Sequence, residues 1–235
     1  MQTIDLTHTL VRPRESYAGA ETDRGSEGRP LVALRPEEYP EQVRRLVIAA
    51  AMAAAIVGGP ADTLFSADSL LVDDFTLPGE SSIGTRWQAF TDGVMGGRSR
   101  MDAGFVQEGD ETVLRMTGSV SLENNGGFIQ VRLPLTERGF FDASAYSAIA
   151  VETRGRPGEY YIHLRSQQTR LPWQHFKAPI PLDDTWQRTV IPFSSFLPDS
   201  VRGALDPSRL TSVGIVAGGT AFDGDISIRR IELVR

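Results

Sequence analysis

From Leu70 onward, Val, Ile and Phe alternate with polar residues in short runs, and Gly, Pro, Asn and Asp punctuate them. Alternation with period two marks strands that bury one face. The runs predict strands over 70–75, 87–91, 104–108, 112–117, 119–122, 128–133, 148–153, 160–165, 174–180, 188–192, 212–216 and 225–233. No segment after Gly59 carries a long apolar stripe of helical period, and Ser194–Leu197 reads as a single helical turn. Many short strands with frequent turn signals predict an all-β fold, a sandwich or jelly roll.

Two glycine-rich strings interrupt this alternation, DGVMGGRS at 92–99 and ENNGGF at 123–128. Both read as tight connections between strands. Gly93, Gly96 and Gly97 supply positive φ, and Asp92 is placed to close an Asx-turn on the backbone two residues on. Asn124-Asn125-Gly126-Gly127 repeats that chemistry. Neither string is a phosphate loop: no Gly-Lys-Ser/Thr follows the first, and no long amphipathic helix opens after it.

The strings themselves are more specific than their glycines. Trp87 followed by FTDGVMGGRS, then GSVSLENNGGFIQVR, resembles the complex I intermediate-associated protein 30 family. YYIHLRS, the 173–179 stretch, VIPFSSF and the closing SVGIVAGG…ISIRRIEL follow in that family's order, so the resemblance covers about residues 70–235. It is carried residue by residue at Trp87, Asp92, Gly93, Met95, Gly96, Gly97, Ser99, Asn125, Gly126, Gly127 and Phe128. It implies a galactose-binding-like β-sandwich, the jelly roll shared with carbohydrate-binding modules. It also implies a non-catalytic binding or assembly role, which in mitochondrial members is assisting construction of respiratory complex I.

Read face by face, the strands also suggest a site. Ile129, Val131 and Leu133 form an apolar face opposite Gln130 and Arg132. Tyr160, Ile162 and Leu164 oppose Tyr161, His163 and Arg165, while Trp173, His175 and Lys177 oppose Gln174 and Phe176. If these strands are neighbours, one outer face collects Gln130, Arg132, Tyr161, His163, Arg165, Trp173, His175 and Lys177. Rings with hydrogen-bonding tips and guanidinium forks suit a sugar, peptide or protein surface. The plain alternative is a solvated sheet face.

The N-terminal part differs. Residues 1–43 are polar without sustained period and read as disordered, or as preceding a mis-assigned start. Arg44 and Arg45 then lead into an apolar run, Leu46–Gly59, shorter than the roughly 20 residues of a membrane span. With small residues at Ser66-Ala67, residues 44–67 resemble a secretory signal, which favours an exported or periplasmic domain whose translation starts near Val43. An uncleaved anchoring helix and a plain Ala-rich helix are the alternatives. The sandwich is assigned to 70–235, with no membrane span.

Net charge is −6, which argues against a nucleic-acid surface, and the absence of cysteine removes disulfides and thiolate chemistry. Hydrolytic acid–base work needs two placed carboxylates. Asp92, Asp102, Glu123, Asp183 and Asp184 all sit beside turn residues, and Ser99, Ser166 and Ser194 lack a nucleophile elbow. The histidines have no metal-ligand spacing. Asp73, Asp74 and Glu232, on the first and last strands, offer oxygen ligands for a hard cation but read first as solvated charges. The expectation is no catalytic residue, no metal and no cofactor. The expected partner is a protein, such as a complex I intermediate, or alternatively a glycan or envelope polymer.

Overall fold

The computed structural model describes Ile4–Asp5, Leu10–Val11 and residues 69–235 apart from Pro78. The signal-like segment lies outside the described residues. Two sheets stack face to face. The first has the order β1 (Ile4–Asp5), β4 (Gln88–Thr91), β7 (Phe128–Pro134), β13 (Leu210–Gly218), β9 (Tyr160–Ser166), β10 (His175–Pro179) and β12 (Leu197–Asp199). The second runs β11 (Gln187–Pro192), β8 (Ala148–Gly155), β14 (Phe222–Val234), β6 (Glu111–Val120), β5 (Arg100–Glu108) and β2 (Leu10–Val11). β3 (Ser69–Asp73) pairs with the far end of β14, beyond the reach of β6. Apart from the parallel β2–β5 edge, the pairings are antiparallel. The fold is a jelly-roll β-sandwich, and the described residues contain no α-helix.

The alternation in the sequence is what closes it. β7 buries Ile129, Val131 and Leu133, and β9 buries Tyr160, Ile162 and Leu164. From the opposite sheet, Leu114, Met116, Ile226, Ile228 and Ile231 meet them. Each such side chain contributes about 1.5–3 kcal/mol of apolar burial.

Three local expectations need correction. The strands expected at 112–117 and 119–122 are one continuous strand, β6. Gly118 is a close backbone approach rather than a break: it pairs with Met101 on one side and Gly224 on the other, and a Cβ there would collide with the carbonyl of Arg100. The helical turn expected at 194–197 is a 3-10 turn at Phe193–Ser195, after which β12 pairs along β10. Within the N-terminal stretch expected to be unpacked, Ile4–Asp5 and Leu10–Val11 pair against β4 and β5, whose outer edges would otherwise lack ladder partners.

The first and last strands do meet, since β3 pairs with β14. Their acids are not solvated, however: Asp73 and Glu232 are buried. Asp73 accepts the indole N–H of Trp87 at 2.7 Å and the backbone N–H of Phe75 at 2.9 Å. Burial pushes the Asp73 carboxyl up to about 6. Glu232 accepts from Arg188 and Arg230, and Arg230 also lies 3.8 Å from Asp74. Arginines thus stand at Glu232 and Asp74, while Asp73 is held by neutral N–H donors.

Candidate functional site

The two glycine motifs form one structure around Asp92. Its buried carboxylate accepts the backbone N–H of Ser99 at 3.0 Å, that of Gly127 at 2.6 Å, that of Phe128 at 3.3 Å, and the Ser99 hydroxyl. The expected Asx-turn is absent from this geometry: the side chain capping the first loop is Thr91, whose hydroxyl accepts from Gly93 N. Of the three glycines expected at positive φ in that loop, only Gly96 adopts it, at +89°. Gly97 is required for space, because a Cβ there would fall inside the Asp92 carboxylate, and Gly126 is crowded by the same group. In the second loop Asn124 takes the left-handed region at φ +56°, and the Gly126 N–H closes the 3-10 turn on the Glu123 carbonyl. Arg98 and Glu123 pair across the two loops at 2.9 Å. The family motif thus contains a buried brace of Asp92 and Ser99, a buried Trp87 bound separately to Asp73, and an exposed tip carrying Gly93 and Met95.

The strands expected to be neighbours are neighbours. Across the outer face of the first sheet, Gln88, Arg132, Gly214, His163, Lys177 and Leu197 stand in one register row. The adjoining row holds Phe90, Gln130, Val216, Tyr161 and Pro179. On the other side, Arg165 pairs with Ser212 and His175 with Asp199. The sheet therefore brings together Gln130, Arg132, Tyr161, His163, Arg165, His175 and Lys177. Trp173 is not on the strand, because β10 begins only at His175; its ring stands in the preceding turn, 54% exposed.

The rings of His163 and His175 stack at 3.7 Å and 14°. Tyr161 lies 6.3 Å from His163. Burial holds His163 well below the usual imidazole range, aided by His175 and Lys177, and burial likewise lowers His175. The stack is therefore neutral at pH 7, as packing of two imidazoles face to face requires. Lys177 donates to Asp199 at 2.7 Å, and that bond lowers the Asp199 carboxyl.

The arginines of this face are differently placed from those of the other sheet. Arg132 donates to Gln88 Oε1 at 3.1 Å and stacks on Phe90 at 4.8 Å. Arg165 donates to the backbone carbonyls of Thr169 and Leu171 at 3.1 and 2.8 Å. Burial lowers both guanidinium groups, and Arg132 adds to the effect on Arg165. On the second sheet three arginines are matched by acids: Arg115 with Asp225, Arg154 with Glu108, Arg229 with Glu152. Beyond the face, the turn around Trp173 and the 200–209 segment enclose a cleft of about 760 Å³ lined by Gln174, Arg170, Arg202, Asp206 and Arg209 among others.

Sequence reasoning missed Gln88, Phe90, Gly214 and Asp199. Asp199 was hidden because it lies just past the helical turn expected at 194–197 and outside every expected strand. Gln88 and Phe90 alternate with buried Trp87 and Ala89, and that period was a usable signal. Of the candidate acids, Asp92 is the buried brace, Glu123 pairs with Arg98, and Asp183 closes a turn through Thr185.

The sequence profile of the complex I intermediate-associated protein 30 family matches residues 75–229. Among solved structures, the chain is similar to the family 11 carbohydrate-binding module of a cellulosomal cellulase of Clostridium thermocellum. The TM-score is 0.57 at 16% identity, covering 72% of this chain and 95% of that one. The same organism's module in complex with a β-1,3-1,4-mixed-linked tetrasaccharide gives 0.56 at 17% identity, covering 72% and 96%. An agarase crystal structure gives 0.51 at 10% identity, covering 72% of this chain and 25% of that one. At these identities the likeness is one of fold. Among curated proteins, none matches the chain.

Proposed function

Because the chain belongs to the complex I intermediate-associated protein 30 family, we propose that it is a non-catalytic assembly factor whose sandwich docks on a protein partner through the outer face of the first sheet. The observation that carries this is the clustering of Arg132, Arg165, Tyr161 and the imidazole stack on one face, beside the exposed Trp173. Arg, Tyr and Trp are the residues that dominate interface energetics. A respiratory-complex intermediate is the partner the family indicates. Deletion of the gene tests this, with assembled complex I measured on native gels. Depletion is expected, and an unchanged amount overturns the reading.

A second reading, a carbohydrate- or envelope-polymer-binding module, is favoured by the exposed Trp173 ring together with the fold likeness to a module solved with a mixed-linked tetrasaccharide. Its test is a rise in melting temperature with soluble glucan oligosaccharides. The export suggested by residues 44–67 is a separate proposal, tested by intact mass: cleavage near Asp68 would remove β1 and β2 from the sheet edges, and retention of residues 1–67 overturns export.

A further inference from the structure

We infer that the partner is recognised through carboxylates, and that an acidic polypeptide segment lies across the first sheet, with Arg132 and Arg165 as the groups that hold it; this rests on the assembly-factor reading above. Three observations carry the inference.

The first is the contrast between the two outer faces. The chain has 30 acidic and 24 basic side chains, so acids to pair with are plentiful. On the second sheet Arg115, Arg154 and Arg229 have them, at 2.6–2.8 Å. Arg132 and Arg165, half-buried, are left with an amide oxygen, a hydroxyl and carbonyls, and they repel one another. A desolvated guanidinium without a carboxylate is an incomplete arrangement, and an anion completes it.

The second is shape. Gly214 lies between Arg132 and His163 in the register row, with no side chain over the sheet, and the Gln130 amide comes close to where its Cβ would be. The Gln130 amide fills that place, so the floor beside the Arg132 fork is flat and polar. Arg165 is held from one side by the loop, through Nη2 to two carbonyls and Nε to the Thr169 hydroxyl, and its Nη1 takes no part in these bonds.

The third is continuity. The loop that holds Arg165 also forms the wall of the cleft containing Arg170 and Arg202. The acid there, Asp206, is already committed to Ser208. Of the face's own acids, Asp199 is taken by Lys177, and Glu159 accepts from the Tyr161 hydroxyl. Leu171, Trp173 and Leu197, all exposed at this edge, add an apolar shoulder. A strip with a cationic floor and an apolar shoulder fits an extended acidic segment that also carries a large apolar residue.

The test uses the full chain, with hexaglutamate, hexaglutamine and trigalacturonate as probes. The side-chain Nε–H signals of Arg132 and Arg165 are followed by NMR. Hexaglutamate should shift both signals, and hexaglutamine neither. The hexaglutamate affinity should fall about tenfold in Arg132→Gln and in Arg165→Gln, the loss of one charge-assisted fork. It should also weaken as salt rises from about 50 to 500 mM. Arg115→Gln, on the other sheet, should leave it unchanged. Two variants on separate strands guard against a local fold defect in either. Hexaglutamate binding that is absent, or indifferent to both substitutions, overturns the inference. Tighter binding of trigalacturonate than of hexaglutamate replaces the polypeptide by an acidic glycan and overturns it too. If deletion depletes complex I while both arginine variants restore it, the assembly reading survives and the carboxylate inference falls.

Discussion

Removing the Asp92 carboxylate should destabilise the sandwich far more than loss of an ordinary turn residue. In Asp92→Ala, the backbone N–H groups of Ser99 and Gly127 lose close acceptors, at 3.0 and 2.6 Å, the first bond buried and the second partly so. Each buried donor left unpaired costs about 1–3 kcal/mol. The Phe128 contact at 3.3 Å is weaker, and the Ser99 hydroxyl retains the Ser121 carbonyl at 3.4 Å. Two orphaned donors, less the relief of no longer burying a charge, give about 3 kcal/mol. For a chain of this size that is roughly 6–12 °C in melting temperature. Urea unfolding followed by the fluorescence of buried Trp87 measures it. Asp92→Asn is the decisive companion. An amide offers one acceptor and points N–H groups at other N–H groups, so its loss should come within about 1 kcal/mol of the alanine loss. In an Asx-turn, Asn replaces Asp freely, so Asn behaving as wild type would refute the brace. Gly97→Ala should also destabilise, and the two should couple. With Asp92 already alanine, the clash with the carboxylate is gone and only the Cβ of residue 92 still crowds the new methyl, so the double variant should lose less than the sum.

Other expectations follow from the same geometry. Trp173→Ala, at an exposed turn, should change stability by under about 0.5 kcal/mol yet weaken partner binding by about 2 kcal/mol or more; titration calorimetry beside urea melts separates the two. Arg132→Gln should leave stability unchanged or raise it by up to about 1 kcal/mol, whereas Arg229→Gln, which strips Glu152 and one face of Trp186, should lower it by a similar amount. On pH, Asp73 titrates near 6 when folded against 3.8 unfolded, so its contribution is full below about 3.8 and is lost as pH rises through 6. His163 and His175 act oppositely: their folded values are depressed, so stability is lost as pH falls below 6.5. Asp73→Asn should therefore steepen the acid-side loss, and His163→Gln should flatten it, in melts between pH 4 and 7.

The face was legible because β7 and β9 alternate without interruption: Ile129 to Leu133 and Tyr160 to Leu164 fix which side is wet. Trp173 broke the rule because its strand starts two residues later, and period two cannot locate a strand end. Asp92 was legible as important and misread in role. A turn-forming Asp and a buried brace look alike in sequence, and the 35 residues separating it from Gly127 leave no local trace. Asp73 was obscured in the same way, since its partner Trp87 is 14 residues away. The lone positions of Arg132 and Arg165 depend on which acids lie nearby in space, which composition does not encode.

The central claim is that the first sheet's outer face is the docking surface of an assembly factor. Its most direct test is complementation of the deleted gene, scored by assembled complex I on native gels. Wild type and the second-sheet variant Arg115→Gln should restore the complex, and the combined variant Arg132→Gln, Arg165→Gln, Trp173→Ala, folded as judged by its melting curve, should not. Full restoration by that combined variant would contradict the account.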